Sequence, residues 1–424
     1  MEKYRIIGNM TGNSMDAIDL VMTDFDGDKM TDVCVYTKPY EKNMQEKIEA
    51  LRGEVFNKTS AQIEALPNFK AIHNEYIRQI ADCINEMCAV NHIDKTTVDA
   101  IGFHGKTLDH NPPSKARLSK TQPYTLQIGS GQMLADLTDI TVVYDFRSDF
   151  LMKGFEGAPL IPPHNAHIAA TEGDGCYYNG GNTSNFALIA DGVAQISADA
   201  GPFNEYTDNY VRQHTSESFD KDGMFGSKGF VCTHLLQKIF NIGRTYYETP
   251  LPKSGDPAYY HKDIIFQYVQ EQNIKFEDAV RTFEYAAAYI AMQALTLVPD
   301  NIEIPSQMIL FGGGWKNPIV RQSFENLLNG KDFVLPEHTA QFAKLCGRFR
   351  HLPTIKQSNF GDYMEARLLA DLARYKLADK AWEIPEAMQK GQKIVCGVIA
   401  KPNPHRKSYN DCINSAAKGW QPIF

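Results

Sequence analysis

The chain has no Cys-x-x-Cys pair, no His-Glu-x-x-His, no long apolar run and no excess of positive charge. Each absence removes a class of protein. Eight cysteines scattered through 424 residues give neither a disulfide framework nor a zinc knuckle, and read as reduced thiols of a cytoplasmic protein. Twelve histidines without ligand spacing make a dedicated zinc site improbable. A net charge of −8 argues against a nucleic-acid partner. The apolar runs fall short of the ~18 residues that cross a membrane. Met1-Glu2-Lys3-Tyr4 leads at once into an apolar strand, so no signal peptide is expected. Low-complexity tracts and short repeats are missing too. What remains is 43% hydrophobic and 22% charged residues, ample core for two domains or three.

The opening stretch sets the style of the rest. Tyr4–Ile7 is a short apolar strand and Ala17–Asp24 alternates as a half-buried strand. Between them lies Gly8-Asn9-Met10-Thr11-Gly12-Asn13-Ser14-Met15-Asp16. Its glycines let backbone N–H groups turn toward an anion, Thr11 and Ser14 add hydroxyl donors, and Asp16 suits a metal-bound phosphate. The same residues also make an ordinary hairpin turn. A third strand through Val33–Tyr36 completes a meander. Helices follow over Lys42–Leu51 and Ala61–Val90, the second with Ile72, Tyr76, Ile80, Cys83, Ile84 and Met87 on one apolar face.

Val98–Phe103 is a strand that ends in the polar turn His104-Gly105-Lys106-Thr107, where α/β proteins place binding groups. Tyr124–Gly129 is another strand, and Ser130 caps a helix through Leu137. A buried strand, Ile140–Tyr144, runs into Asp145-Phe146-Arg147-Ser148-Asp149, which is either a solvated turn or a clamp for a hydroxyl-rich ligand. Gly157–Pro163 is rigid and apolar, a candidate hinge. The opening pattern then returns: Tyr177–Ile189 is strand, turn and strand around Gly180-Gly181-Asn182-Thr183-Ser184-Asn185. Ala198–Asn204 sets Asp199 in a turn that begins a helix. Asp220–Gly223 and Pro252–Gly255 read first as solvated turns. A helix over Glu277–Val298 carries a narrow face of Phe283, Ala286, Ala287, Ile290 and Ala291. Met308–Phe311 runs straight into Gly312-Gly313-Gly314, with a helix over Ile319–Leu328 after it, a setting for a nucleotide phosphate. Asp332–Leu335 reads as one more strand. Glu365 lies in the first turn of a helix reaching Tyr375, where the helix dipole favours a carboxylate.

In order and content these turns resemble the anhydro-N-acetylmuramic acid kinases, a family of the sugar kinase/Hsp70/actin superfamily. Met10–Ala17 corresponds to the family's M-S-G-T-S-x-D-G turn, His104–Thr107 to H-G-Q-T, and Thr125–Gly129, Asp145–Arg147 and Gly157–Pro162 to T-L-Q-I-G, D-F-R and G-A-P-L-x-P. Gly180–Asn185 is similar to the second phosphate hairpin and Asp199–Asn204 to D-T-G-P-x-N. D-K-D-G stands at Asp220–Gly223, P-K-S at Pro252–Ser254, and G-G-G-x-x-N-P at Gly312–Pro318. The resemblance implies an α/β fold of two ribonuclease-H-like domains, mixed sheets flanked by helices, with an ATP cleft between them. Residues 1–130 and about 361–424 would form the first domain and 131–360 the second.

The implied reaction is ATP-dependent: a 1,6-anhydro sugar is opened by water and phosphorylated on O6, a step in peptidoglycan recycling. Asp199 would activate the water, and His104, Arg147, Asp199 and Glu365 would hold the sugar. Thr11, Gly12, Asn13, Ser14, Asp16, Gly180, Gly181, Asn182, Gly312, Gly313, Gly314 and Asn317 would hold ATP, with Mg²⁺ at Asp16. The partner would be a small-molecule sugar, not nucleic acid or membrane, and a homodimer is one assembly open to the chain. Departures include Thr11, Asn13 and Ala17 in the first loop, Lys106 for glutamine, Ala200 for threonine and Phe203 for glycine. About 45 residues extend past the family's usual end. Two alternatives stay open: a kinase for another anhydrohexose or a plain sugar, and a non-catalytic ATP-binding sensor.

Overall fold

The computed structural model describes residues 2–11, 15, 17–41, 43–55, 58–255, 259–383 and 392–405. The chain divides into two compact units, the first made of residues up to Leu160 with Tyr363–Glu383 and the segment from Lys393, the second of Ile161–Asp362 with, among the described residues, Gln392. The boundary lies thirty-odd residues beyond the expected position at 130, because the strand at 142–144 pairs into the first sheet.

The first unit opens with the expected meander, β1 (Lys3–Thr11), β2 (Ala17–Asp26) and β3 (Lys29–Pro39). Helices α1 (Met44–Val55), α2 (Ser60–Glu64) and α3 (Phe69–Val90) follow. The predicted apolar face of α3 is buried throughout. Next come β4 (Ala100–Phe103), β5 (Lys106–Asn111), α4 (Pro113–Ser119), β6 (Tyr124–Ile128), α5 (Gly131–Thr138), β7 (Val142–Tyr144) and α6 (Ser148–Met152). Ser130 caps α5, its Oγ accepting from the Met133 N–H at 3.2 Å. The turn read at His104–Thr107 is shorter than expected. Gly105 adopts φ +74°, and Lys106 already pairs with Ile128 in an antiparallel β5–β6 ribbon.

The second unit contains α7 (Pro162–Glu172), β8 (Gly175–Gly180), β9 (Thr183–Ala190), β10 (Val193–Pro202), α8 (Glu205–His214), α9 (Thr233–Tyr247) and α10 (Lys262–Glu271). It continues with α11 (Phe276–Thr296), β11 (Gln307–Phe311), α12 (Pro318–Leu328), α13 (Pro336–Cys346) and β12 (Thr354–Gln357). These strands form one sheet in the order β10-β9-β8-β11-β12. Helix α11 has no narrow face: Thr282–Leu295 is buried on all sides, as an apolar helix crossing a domain core must be. Asp332–Leu335 is not a strand. Asp332 has φ +59°, its carbonyl accepts from the Tyr285 hydroxyl, and Leu335 is already the cap of α13.

The chain then re-enters the first unit with α14 (Met364–Leu377), β13 (Trp382–Glu383), β14 (Lys393–Ile394) and β15 (Val398–Ala400). The first sheet runs β15-β7-β4-β1-β2-β3. In it Gly8 lies beside Gly102 in the parallel β1–β4 pair. A Cβ on Gly8 would stand 1.8 Å from the Ala366 carbonyl oxygen, and one on Gly102 2.0 Å from that of Leu369. Two neighbouring glycines thus let α14 lie directly on the strands, while Ile7 and Ile101 point into the core shared with α3. Each of the two large sheets therefore mixes parallel and antiparallel pairs and is flanked by helices, the α/β class expected.

Candidate active site

In the second unit three of the singled-out segments meet at one end of the sheet. Strands β8, β10 and β11 all end there, β11 running parallel to β8 with Phe311 beside Asn179. The β8–β9 turn carries Gly181 and Asn182, and the chain after β10 is tied to it. Phe203 N–H donates to the Asn182 carbonyl at 2.7 Å and Asn204 N–H to that of Gly181 at 3.1 Å. Gly312, at φ +91°, lies with its Cα against Asn179 and the Gly180 carbonyl. Carboxyl ends of strands are where open α/β sheets bind ligands.

The glycines divide by what surrounds them. Side chains on Gly180, Gly312 or Gly314 would collide with Trp315, Asn179 or Phe203, respectively, so the fold itself requires those three. Gly181 would make only ordinary contacts, and Gly313 would meet nothing within 4 Å. Neither has a left-handed backbone. The fold gives no reason for glycine at these two positions, whereas a ligand lying on the backbone would. Asn317, expected among the nucleotide contacts, is engaged within the protein. Its Oδ1 caps α12 by accepting from Ile319 N–H at 2.9 Å and its Nδ2 donates to Glu284 Oε1 at 2.6 Å. Burial pushes the Glu284 carboxyl up to about 8, Asn317 opposing and the Asp220 charge adding to the rise.

Asp199 does not sit in a turn. It lies within β10 opposite Asn185, next to a register shift between Asp199 and Gly201. A bulge of this kind re-aims a side chain at a sheet edge. Gly255 N–H donates to its Oδ2 at 2.6 Å. Asp199 N–H in turn donates to the Lys253 carbonyl at 3.1 Å, and Tyr246 Oη to the Asp199 carbonyl at 3.3 Å. The Pro252–Gly255 turn is therefore not a solvated one, and Lys253 is 3% exposed. Asp220, read first as solvated, is buried as well, accepting from the N–H groups of Phe225 and Gly226.

The first unit holds the expected sugar-binding residues. Arg147 Nε donates to His104 Nε2 at 3.0 Å, and Arg147 Nη1 to the Gly157 carbonyl at 2.5 Å. His104 therefore carries its proton on Nδ1, which donates to the Gly105 carbonyl at 2.9 Å. Burial, with the Arg147 charge beside it, pulls the imidazole down to about 3, so it is neutral at pH 7. His110 is likewise pulled down to about 3 by burial and Arg147, and lies between the Thr125 hydroxyl and the Glu156 carbonyl at 3.0 Å each. Glu365 stands in the first turn of α14. Its carboxyl is raised by desolvation and by Asp19, with Arg147 and Lys106 opposing. Lys106 itself is buried. His104, Arg147 and Glu365 are thus brought into one charged cluster.

The first phosphate loop gives less. Gly12, Asn13, Ser14 and Asp16 lie outside the described residues. The Thr11 hydroxyl, expected to face a phosphate, is buried and bonded to the Tyr40 hydroxyl at 2.5 Å, with Tyr76 Oη donating to it at 3.4 Å. It anchors the end of β1 instead. Sequence reasoning missed Lys253, Gly255 and Glu284. A glutamate inside the apolar run Phe283–Leu295 was a usable signal for Glu284, whereas nothing local marks Lys253 as buried.

A family model described as anhydro-N-acetylmuramic acid kinase matches residues 4–343. Solved structures similar to this chain include component A of the (R)-2-hydroxyglutaryl-CoA dehydratase of Acidaminococcus fermentans, at 12% identity and TM-score 0.42, covering 89% of this chain and 100% of that one. The activator of the 2-hydroxyisocaproyl-CoA dehydratase of Clostridium difficile has 9% identity and TM-score 0.41 over 88% and 97%. A ROK hexokinase of Thermus thermophilus has 11% and 0.32 over 87% and 97%.

Proposed function

The chain belongs to the anhydro-N-acetylmuramic acid kinase family and is an ATP-dependent sugar kinase, and from that premise we propose that it opens and 6-phosphorylates 1,6-anhydro-N-acetylmuramic acid. One observation carries the reading: Asp199, the Gly181 turn and Gly313 stand together at the carboxyl end of one sheet, with Asp199 Oδ2 held at 2.6 Å. Phosphoryl transfer asks a protein mainly for positioned phosphates and a positioned base.

In the proposed step Asp199 takes a proton from water as the water oxygen bonds to C1. The C1–O6 bond breaks, O6 bonds to the γ-phosphorus, and the bond from that phosphorus to the bridging oxygen breaks to release ADP. Arg147, held in place by His104 Nε2, offers donors and Glu365 an acceptor for the sugar, with the His104 ring as a wall beside them. The backbone at Gly181 and Gly313 receives the nucleotide. Mg²⁺ would neutralise phosphate charge; Asp16, its expected ligand, lies outside the described residues. The same reading places the protein in the cytoplasm and in cell-wall recycling.

The test is turnover of ATP and 1,6-anhydro-N-acetylmuramic acid in H₂¹⁸O. The expected product is the 6-phosphate with one ¹⁸O at C1. Turnover only of another anhydrohexose or a plain sugar would change the substrate. ATP binding without consumption of ATP on any sugar would make the protein a sensor.

A further inference from the structure

Lys253 is the most deeply buried cation near the base, and the step above makes no use of it. It is 3% exposed. Its ammonium donates to the Tyr246 carbonyl at 2.9 Å, reaches that of Tyr247 at 3.4 Å, and lies 4.4 Å from the Tyr246 ring centroid. Its own carbonyl receives the Asp199 N–H, and two residues on Gly255 N–H grips Asp199 Oδ2. Tyr246 closes the ring by donating its hydroxyl to the Asp199 carbonyl. A buried ammonium is expensive unless its donors and its charge are answered. Here two carbonyls and an aromatic face answer the donors, and Asp199 answers the charge.

We propose that Lys253 is the positioning residue of the base: it pins the 253–255 turn so that Gly255 holds the carboxylate, and its charge keeps Asp199 ionised until water is bound. Among the described residues the titratable groups facing it are Asp199, Tyr246 and Tyr247, with Tyr260 packed behind Tyr246. Burial holds the Tyr246 phenol protonated, well above its ordinary value, and pushes the Tyr247 phenol up as well. Among the described residues Asp199 is therefore the anion that balances Lys253. Burial pulls the ammonium down to about 7, with Asp199 pulling the other way. The lysine is thus poised to report on the state of its neighbour.

The inference rests on Asp199 as the base, and two measurements separate them. In protein with ¹³Cε-labelled lysine, the Lys253 signal is assigned by its loss in Lys253→Arg and titrated in the parent and in Asp199→Asn. Removing the anion should lower the Lys253 midpoint by about one pH unit. An unmoved midpoint overturns the pairing whatever Asp199 does in catalysis. Kinetics form the second arm. Lys253→Met should lower kcat about tenfold or more while KM for ATP stays within about twofold. The acid limb of its kcat profile should rise by about one pH unit, because a carboxylate deprived of its cation protonates more readily. Lys253→Arg should return the limb toward the parent. A Lys253→Met enzyme with a lower Tm and an unmoved limb overturns the proposal and leaves Lys253 a packing residue. If that variant does not fold, Lys253→Gln, which keeps a donor for the Tyr246 carbonyl, takes the same measurement. Parent-like turnover in Asp199→Asn would instead remove Asp199 as base, a failure that the lysine titration does not share.

Discussion

A carboxylate that must take a proton from water works best with one oxygen already fixed, so that no reorganisation is left for the moment of reaction. Gly255 fixes Oδ2 of Asp199 in this way. Asp199→Asn keeps an oxygen for that bond but cannot take the proton. Turnover should fall by roughly 10²–10⁴-fold, while ATP affinity measured by calorimetry stays near the parent's. The two buried histidines beside Arg147, His104 and His110, make a different prediction. Both are neutral in the folded chain and held near 3, against about 6.5 when unfolded. Between those values the unfolded chain binds more protons, so their contribution to stability is lost as the pH falls below about 6.5. Urea midpoints at pH 7 and pH 5 should therefore drop less in His110→Asn than in the parent. Comparing variant with parent cancels the buried carboxylates, such as Glu284, that shift the other way. An equal drop in both would mean that His110 is solvated.

At the scale of elements, the contact of α14 with β1 and β4 leaves no room for a methyl group. Gly8→Ala sets a Cβ 1.8 Å from a backbone oxygen that no rotamer can move. Overpacking against side chains costs about 1–3 kcal/mol, and a rigid helix backbone should put this variant at or above the upper end in denaturant titrations. Gly313→Val is the contrast. Its Cβ would have nothing within 4 Å beyond its chain neighbours, so its Tm should stay near the parent's while ATP affinity weakens. Unchanged affinity would put the nucleotide elsewhere. The strands of the meander, the face of α3, the Ser130 cap and the β8–β9 hairpin were legible because each rests on local periodicity or local capping. Asp332–Leu335 has the composition of a strand, but no neighbour offers it a ladder. Thr11 and Lys253 were misjudged for a related reason. The partners that bury them, Tyr40 and Tyr76 for one and Tyr246 for the other, announce themselves only once the chain is folded. The glycines were visible as glycines, but which serve packing and which leave space could be told only from what surrounds each one.

At the scale of the whole molecule, a nucleotide that binds only the folded chain stabilises it by mass action, about 2.7 kcal/mol at a concentration 100 times Kd. ATP should therefore raise the Tm of the parent and do so much less for Gly313→Val. The two units should also differ in autonomy. The second draws nearly all of its described residues from Ile161–Asp362, whereas the first needs a helix from beyond residue 362. Residues 161–362 expressed alone should unfold cooperatively, and residues 1–160 alone should not; cooperative melting of the latter would show that α14 is dispensable. That asymmetry has a consequence in time. When strands β1 to β4 and β7 of the first sheet have left the ribosome, the bare backbone groove at Gly8 and Gly102 has no helix to fill it. About 200 more residues must be made before α14 is available, some 10–40 s at about 5–20 residues per second. For that interval the second unit, though later in the chain, can finish folding first. The nascent first sheet is then the segment that a chaperone or a protease would meet uncovered.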